Sequence, residues 1–255
     1  MLLAFDIGNT KVSTAVFQDS SIIHRGKFPS RRSGTAIDYQ QQIAEFLLSS
    51  KISLSTIEDV IFSSVVPELS VAFHKMAQNL IGKKAIQVSP DLNLGIRLDV
   101  DFPEKVGQDR IATAVAAYEM FHECVIVLDM GTATTIDLVS QDGIFQGGII
   151  CPGMGILSNV LTKNTSQLFQ VPLEPPVHVI GKNTEDCLKS GIFFGYIGMI
   201  RSLIQQIITT LDESPVLVAT GGIAAILKTH IPEIPHWIDD LLLTGLLNIY
   251  QKNRN

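Results

Sequence analysis

Cysteine is scarce in this sequence. Cys124, Cys151 and Cys187 are the only three in 255 residues, and no two stand in a CxxC spacing. That leaves neither a disulfide framework nor a cysteine zinc site. The six histidines show no metal-ligand spacing either. Charge is also thin, at 17% of residues against ~25% in an average globular chain. The lysines and arginines form no block, and the formal net charge is −6. A nucleic-acid footprint needs a basic stripe, so no nucleic-acid partner is expected. The phosphate-loop pattern GxxxxGK[ST] is missing, as is GxGxxG after a suitable strand. The longest uncharged stretch, Gly143 to Thr162, is interrupted by five glycines and a proline. It reads as a buried strand followed by a turn rather than a membrane helix. The first residues, MLLAFDIGN, have no basic leader. The expectation is a soluble, reduced, cytoplasmic protein with no membrane partner.

What is present is apolar material, 46% of residues with twelve phenylalanines. That is enough for a sizeable core, and it argues against disorder. It also carries a repeat. Overlaying residues 2–19 on 125–142 matches five of eighteen positions, among them Asp6 with Asp129 and Gly8 with Gly131. Both windows read as an apolar strand, an Asp-x-Gly turn, a second strand, a polar turn and a third strand. Beyond each window helix and strand alternate. Helical spacing covers 36–49, 67–82, 107–122, one or two segments of 184–211, and the closing LLLTGLLNIY. Short strands fall at DVIFSSV, KAIQVS and PVLVATGG. The fold class is therefore α/β, in two similar halves, 1–115 and 116–255.

A strand that ends in Asp-x-Gly-x-Thr turns tightly and lets its backbone approach a ligand, because glycine has no Cβ. Successive N–H groups at such a turn form an anion nest. Thr10, Ser13, Thr132, Thr134 and Thr135 add neutral donors around the two turns. A carboxylate beside a phosphate repels it unless a divalent cation bridges the two. Two such turns facing one cleft would grip a polyphosphate from both sides.

Three further stretches carry chemistry. In FPEKVGQDRIATAVAA, residues 102–117, Asp109 and Arg110 open an alanine-rich helix. Asp109 suits a general base, and Arg110 suits an anion clamp. GGIICPG, 147–153, reads as a strand running into a helix start close to a ligand. ATGG, 219–222, ends a strand in a turn that would set Gly221 and Gly222 against a nucleoside base. Cys151 is expected to be a small buried hydrophobe, not a nucleophile.

Taken in order, DIGNT (6–10), PEKVGQDRIATAVAA (103–117), DMGTATTID (129–137), GGIICPG (147–153), NTEDCLKSGIFFG (183–195) and ATGG (219–222) resemble the type III pantothenate kinase family. That family belongs to the acetate-kinase/sugar-kinase/Hsp70/actin superfamily. The resemblance implies duplicated ribonuclease-H-like, actin-like ATPase domains, with mixed sheets, flanking helices and a cleft between the halves. It implies a homodimer that phosphorylates pantothenate with ATP to 4′-phosphopantothenate, the first step toward coenzyme A. The implied ATP contacts are Asp6, Gly8, Asn9, Thr10, Lys11, Ser13, Gly131, Thr132, Gly221 and Gly222. Asp6 stands on the Mg²⁺ side, and Asp129 is the implied ligand of a monovalent cation, K⁺ or NH4⁺. Pantothenate would meet Gly107, Gln108, Asp109, Arg110, Gly148 and Thr184, with Asp109 as the catalytic base. The sequence departs from the pattern at Val100, where the family carries a tyrosine against pantothenate, and at Lys11, where asparagine is common. Two alternatives stay open: another small-molecule kinase of the superfamily, and a non-catalytic regulatory protein on the same fold.

Overall fold

The computed structural model describes residues 1–254. The chain forms two compact units, and each starts from the same kind of strand. The first unit comprises Met1–Met120 together with the segment from Asp240 onward. Its central strand β1 (Leu2–Ile7) pairs antiparallel with β2 (Lys11–Gln18), which pairs antiparallel with β3 (Ser21–Pro29). On its other edge β1 pairs parallel with β4 (Asp59–Ser64), and β4 with β5 (Ile86–Gln87). The sheet order is β3-β2-β1-β4-β5.

Strand β1 is apolar almost throughout because both of its faces are covered. Leu3, Phe5 and Ile7 pack with residues of α1 (Ala36–Ser49) and α2 (Pro67–Ile81), including Tyr39, Ile43, Phe73 and Met76. Leu2 and Ala4 face the other way. They pack with Ile111 and Val115 of α3 (Gln108–Phe121) and Leu246 and Ile249 of α7 (Leu241–Asn253). The helix limits have local causes. Thr35 and Asp38 form a reciprocal capping box at the start of α1. Pro67 opens α2, and Gly82 closes it in the left-handed conformation. A two-residue strand β6 (Arg97–Leu98) and two 3₁₀ turns, Leu54–Thr56 and Pro103–Lys105, lie in the connections.

The boundary differs from the sequence reading, which ended the first half at 115 and gave the C-terminus to the second. Helix α7 belongs to the first unit. Without it one face of β1 and β4 would lose its cover, and Tyr250 Oη donates to Asp59 Oδ2 at 2.7 Å from that position.

The second unit, Phe121–Asp239, repeats the plan. Strand β7 (Val125–Met130) pairs antiparallel with β8 (Ala133–Val139), and β8 with β9 (Ile144–Pro152). Strand β10 (Val216–Thr220) runs parallel to β7, and β11 (His236–Trp237) parallel to β10. In spatial order these run β11-β10-β7-β8-β9, the first sheet's order with every direction kept. β1 and β7 even share one burial sequence: four buried residues, a half-buried aspartate, then one more buried residue. The duplication is thus a duplication of topology, as in ribonuclease-H-like, actin-like domains.

The second hairpin is one residue shorter. Asp6 pairs with Ser13, whereas Asp129 pairs with Thr135. The sequence overlay therefore holds through the glycine and slips by one afterwards. Its matches of Val16 with Val139, Gln18 with Gln141 and Asp19 with Asp142 are not register equivalents.

The stretch 143–162 holds the strand β9, a single glycine and then the helix α4 (Met154–Asn164), the helix start expected at GGIICPG, but only Phe145 of β9 is buried where a buried strand was expected. Of the one or two helices expected over 184–211, the structure has one of 25 residues, α5 (Thr184–Ile208). By length and composition α5 is apolar enough to cross a bilayer. Here Leu188, Ile192, Phe193, Tyr196, Ile200 and Ile204, three and four residues apart, bury one of its faces in the core of the second unit.

Helices α3 and α7 approach so closely that a Cβ at Gly245 would fall inside van der Waals contact with the Ala112 carbonyl. Gly245→Ala should lower the unfolding free energy by about 1–3 kcal/mol, because neither backbone can move without disturbing the sheet beneath. Urea denaturation checks this, and an unshifted midpoint would refute the close packing.

Candidate functional site

The residues singled out from the sequence gather at two places, one in each unit. In the first, β1 delivers Asp6 half-buried at its end, and the chain turns through Gly8, Asn9, Thr10 and Lys11. The Gly8 N–H closes the turn by donating to Lys11 O at 3.0 Å. Asn9, Thr10 and Lys11 are exposed, so they are the part of the turn open to a ligand. Ser13 lies opposite Asp6 across the hairpin, and Ser63 lies opposite it on β4. Cross-strand partners share a face, and Ser63 Oγ donates to Asp6 Oδ1 at 3.2 Å.

The next residue of β4 reaches the second motif of this unit. Ser64 N donates to Gln108 Oε1 at 2.9 Å, which ties the first turn of α3 to the end of the strand beside Asp6. The end of β4 therefore brings the DIGNT turn and the GQDR segment together, although 100 and more residues separate Asp6 from Asp109. Asp109 Oδ1 accepts from the Arg110 N–H at 2.8 Å. Gly107 precedes the helix and accepts from Ile111 N at 3.1 Å, and a Cβ there would collide with Asp109 Oδ1. Burial holds the Asp109 carboxyl above the ordinary carboxylate range, against the opposing pull of the Arg110 N–H and charge.

In the second unit Asp129 is again half-buried at a strand end, flanked in register by Thr135 on β8 and Thr220 on β10. The turn runs through Gly131 and Thr132, and Gly131 N donates to Ala133 O at 3.1 Å. Two other motifs close on it. Gly153, at the end of GGIICPG, donates its N–H to Thr132 O at 3.1 Å, and a Cβ there would strike the Gly131 and Thr132 carbonyls. Gly221 sits at φ +107°, and its Cβ would meet Met130 O at 2.5 Å. That combination of positive φ and close approach admits only glycine. Behind the turn Thr134 and Tyr196 share a buried hydroxyl–hydroxyl bond of 2.6 Å. Burial pushes the Tyr196 phenol up to about 12, with Cys151 and Asp129 adding to the rise. Burial likewise raises the half-buried Cys151 thiol, which keeps it protonated.

The contacts that gather these segments do not include every expected residue. Val100 is half-buried in the irregular chain before the Pro103–Lys105 turn, and Thr184 is exposed at the start of α5. Gly222 is exposed beyond Gly221. Gly148 lies opposite Asp137 in β9, where a Cβ would strike the Ile136 carbonyl and Asp137, so strand packing already requires a glycine. Sequence reasoning missed Ser63, Ser64, Tyr196 and Gln87. The first two had a readable signal, hydroxyls at the carboxyl end of a buried parallel strand, where α/β sheets place their ligands.

No group of three or more His, Cys, Asp or Glu side chains that could hold a metal occurs among the described residues. The donor set is one carboxylate at each turn. That suits a hard cation shared with substrate phosphates, not one caged by protein alone.

A family profile described as type III pantothenate kinase matches residues 2–206. The type III pantothenate kinase of Desulfatibacillum aliphaticivorans is 35% identical over 256 residues, covering 100% of both chains. That of Geotalea daltonii is 34% identical over 254 residues, covering 100% of this chain and 99% of its own. Among solved structures, a conserved Campylobacter jejuni protein described as a Baf family transcriptional activator superposes with TM-score 0.63 at 23% identity, over 98% of each chain. The activator of 2-hydroxyisocaproyl-CoA dehydratase from Clostridium difficile, with bound ADPNP, gives TM-score 0.53 at 11% identity, over 98% of this chain and 93% of its own. The two structures are likenesses of fold.

If Gly153 and Gly221 both buttress one turn, Gly153→Ala and Gly221→Ala should each shift the backbone amide resonances of Gly131 and Thr132, though 68 residues part the two substitutions. Shifts confined to each substitution's own neighbours would show that the motifs do not meet.

Proposed function

The chain belongs to the type III pantothenate kinase family, and on that premise we propose a division of labour for the phosphorylation of pantothenate by ATP, the reaction that opens coenzyme A synthesis. The observation that carries it is the joining of Asp6 and the Gln108–Arg110 segment through Ser63 and Ser64 at the end of β4. It sets a phosphate-side carboxylate and a base candidate around one strand end.

In this reading Asp109 is the catalytic base. It orients the pantothenate hydroxyl and takes its proton late, because phosphoryl transfer has a loose transition state with little bonding to the nucleophile. An ordinary aspartate, with a pKa near ~3.9, is a poor proton acceptor, and burial of Asp109 makes it a better one. Arg110 holds the substrate carboxylate, and Gly107 leaves room for the Asp109 side chain. Val100 and Thr184 complete the pantothenate contacts, and Gly148 acts through the packing of β9. Asn9, Thr10, Lys11, Ser13 and the Gly8 turn hold phosphate oxygens in the first unit. Gly131 and Thr132 do so in the second, with Gly221 and Gly222 against the nucleoside. Mg²⁺, when bound with the nucleotide, neutralises phosphate charge, and Asp6 is the residue that faces it. Asp129 would hold a monovalent cation, K⁺ or NH4⁺, whose charge would offset what remains on the phosphates. The protein is acidic overall, so positive charge at the site must be local: Lys11, Arg110, backbone amides and ions.

We also place the protein as a homodimer in the cytoplasm. The dimer is supported by apolar side chains left open on the second unit: Val160 on α4, Val177, Val179 and Ile180 in the α4–α5 connection, and Phe194 on α5. Val177 and Ile180, three residues apart, are 90% and 81% exposed.

The reaction is tested with purified protein, ATP, Mg²⁺ and pantothenate, with and without K⁺, following ADP. Pantothenate-dependent ADP release stimulated by K⁺ is expected. Release with a sugar or acetate but not with pantothenate would overturn the assignment. Asp109→Asn should bind ATP normally and lose at least ~100-fold in kcat. The unaltered enzyme should lose kcat/KM on the acid side at a higher pH than an unperturbed aspartate would dictate.

The same substitution bears on stability. A pKa raised on folding means that ionised Asp109 opposes the fold, so its favourable contribution is complete below the unfolded pKa and fades as pH rises through the folded value. At neutral pH Asp109→Asn should therefore raise Tm. A lower Tm at neutral pH would contradict the buried-base reading. A sedimentation experiment on Ile180→Glu checks the dimer, which should dissociate.

A further inference from the structure

Asp109 is held at the first turn of α3, and the structure shows what holds that turn. Gln108 Oε1 accepts two hydrogen bonds, from the Ser64 backbone N–H at 2.9 Å and from Gln87 Nε2 at 3.3 Å. Gln87 sits on β5, opposite Phe62 of β4. Its Nε2 also donates to Ser70 Oγ at 3.4 Å, and its Oε1 lies 3.0 Å from His74 Nε2. Ser70 and His74 both belong to α2, and the His74 ring packs edge-on against Phe62.

The chemistry of this chain runs in one direction only. The Ser64 backbone N–H can only donate, so the atom of Gln108 that meets it must be the carbonyl oxygen. That oxygen can receive only a donor from Gln87, which places the Gln87 NH₂ toward α3 and its carbonyl oxygen toward α2. His74 Nε2 must then carry a hydrogen. One backbone amide thus orients the side chains on α3 and β5 and, through them, His74 on α2; flipping the Gln87 amide would set its oxygen against Gln108 Oε1 and break that bond.

We propose that Gln87 is a positioning residue: with the Ser64 N–H it clamps Gln108 and so sets where Asp109 stands relative to the Asp6 turn. This rests on the reading of Asp109 as the base. It moves the Gln108 carbonyl from the substrate contacts to the support of the neighbouring residue, since both lone pairs of that oxygen are taken by protein donors. β5 is only two residues long, and Gln87 is what makes its end matter to the site. A displacement of about 1 Å at a reacting group is enough to cost one to two orders of magnitude in rate.

The test compares Gln87→Leu, Gln87→Glu, Gln108→Leu and the Gln87→Leu/Gln108→Leu pair with the unaltered protein. Gln87→Leu removes the donor, and Gln87→Glu keeps the shape but turns a carboxylate oxygen toward Gln108 Oε1. Each single variant should lose ~10-fold in kcat with KM for ATP unchanged. The pair should lose no more than the worse single variant, because the two side chains act as one clamp. Backbone amide exchange at residues 108–111 should quicken in both Gln87 variants, with exchange in α5 unaltered. Unchanged kcat and exchange, or losses that multiply in the pair, would overturn the proposal. Should Gln87→Leu fail to fold, Gln87→Glu carries the comparison alone. If the unaltered protein does not phosphorylate pantothenate, the functional reading falls by itself, and the exchange measurement still decides whether Gln87 holds the start of α3.

Discussion

A carboxylate one residue from the end of a doubly covered strand is the constraint from which the rest of this structure follows. β1 and β7 are buried on both faces, so their interiors admit only apolar side chains. Polarity can begin only where the strand runs out, and there each sheet supplies hydroxyls in register on both sides. Asp6 has Ser13 and Ser63, and Asp129 has Thr135 and Thr220. A half-buried carboxylate without such partners would lose much of its solvation with nothing in return. Ser63 Oγ, which donates to Asp6 Oδ1 at 3.2 Å, offsets part of that loss in the first unit, and each aspartate stays at a turn that an exposed backbone segment follows. The site is thus where the hydrophobic core ends, and the same geometry ends it in the same way in both units.

The two units then reinforce their turns by different means. In the first, support comes from side chains: Ser63 on Asp6, and the Ser64, Gln108 and Gln87 chain on α3. In the second it comes from backbone packed against backbone, with Gly153 on the Gly131–Thr132 carbonyls and Gly221 on Met130. Side-chain hydrogen bonds can be broken and remade at about 1 kcal/mol each. Backbone atoms already in contact cannot be brought closer. A turn boxed in by two glycines suits a ligand group that stays put, and a helix start held by amides suits a reacting group whose placement can be tuned by substitution.

Much of this was legible in the sequence. The six strands that open the two units, and the helices at 36–49, 67–81, 108–121 and 241–253, follow from periodicity, caps and Gly/Pro punctuation. So did the two turns, because Asp-x-Gly after an apolar run is a local signal. What stayed hidden was everything decided by register or by distant packing. The one-residue difference between the hairpins is invisible to an ungapped overlay. The return of α7 to the first unit depends on a bare face of β1 and β4 that no local pattern announces. Glycines within α5 left open whether it was one helix or two, and a long buried face holds it as one. Gln87 was hardest, since a glutamine in a two-residue strand has no pattern at all. Its meaning lies in partners 13, 17 and 21 residues away.

Asp109 shows why such support is worth keeping. In the role proposed for it as base, Asp109 gains basicity from burial, which raises its carboxyl above the ordinary value. Burial works against the ionised form that the proposed role needs, so the helix would hold a group that the fold favours neutral. The Arg110 N–H and charge return part of that cost directly. The remainder falls on whatever keeps the first turn of α3 from relaxing toward solvent, and in this structure that is the Ser64 amide and the Gln87–Gln108 contact. The raised pKa of Asp109 and the polar chain behind it are therefore two features of one helix start, which that chain ties to β4.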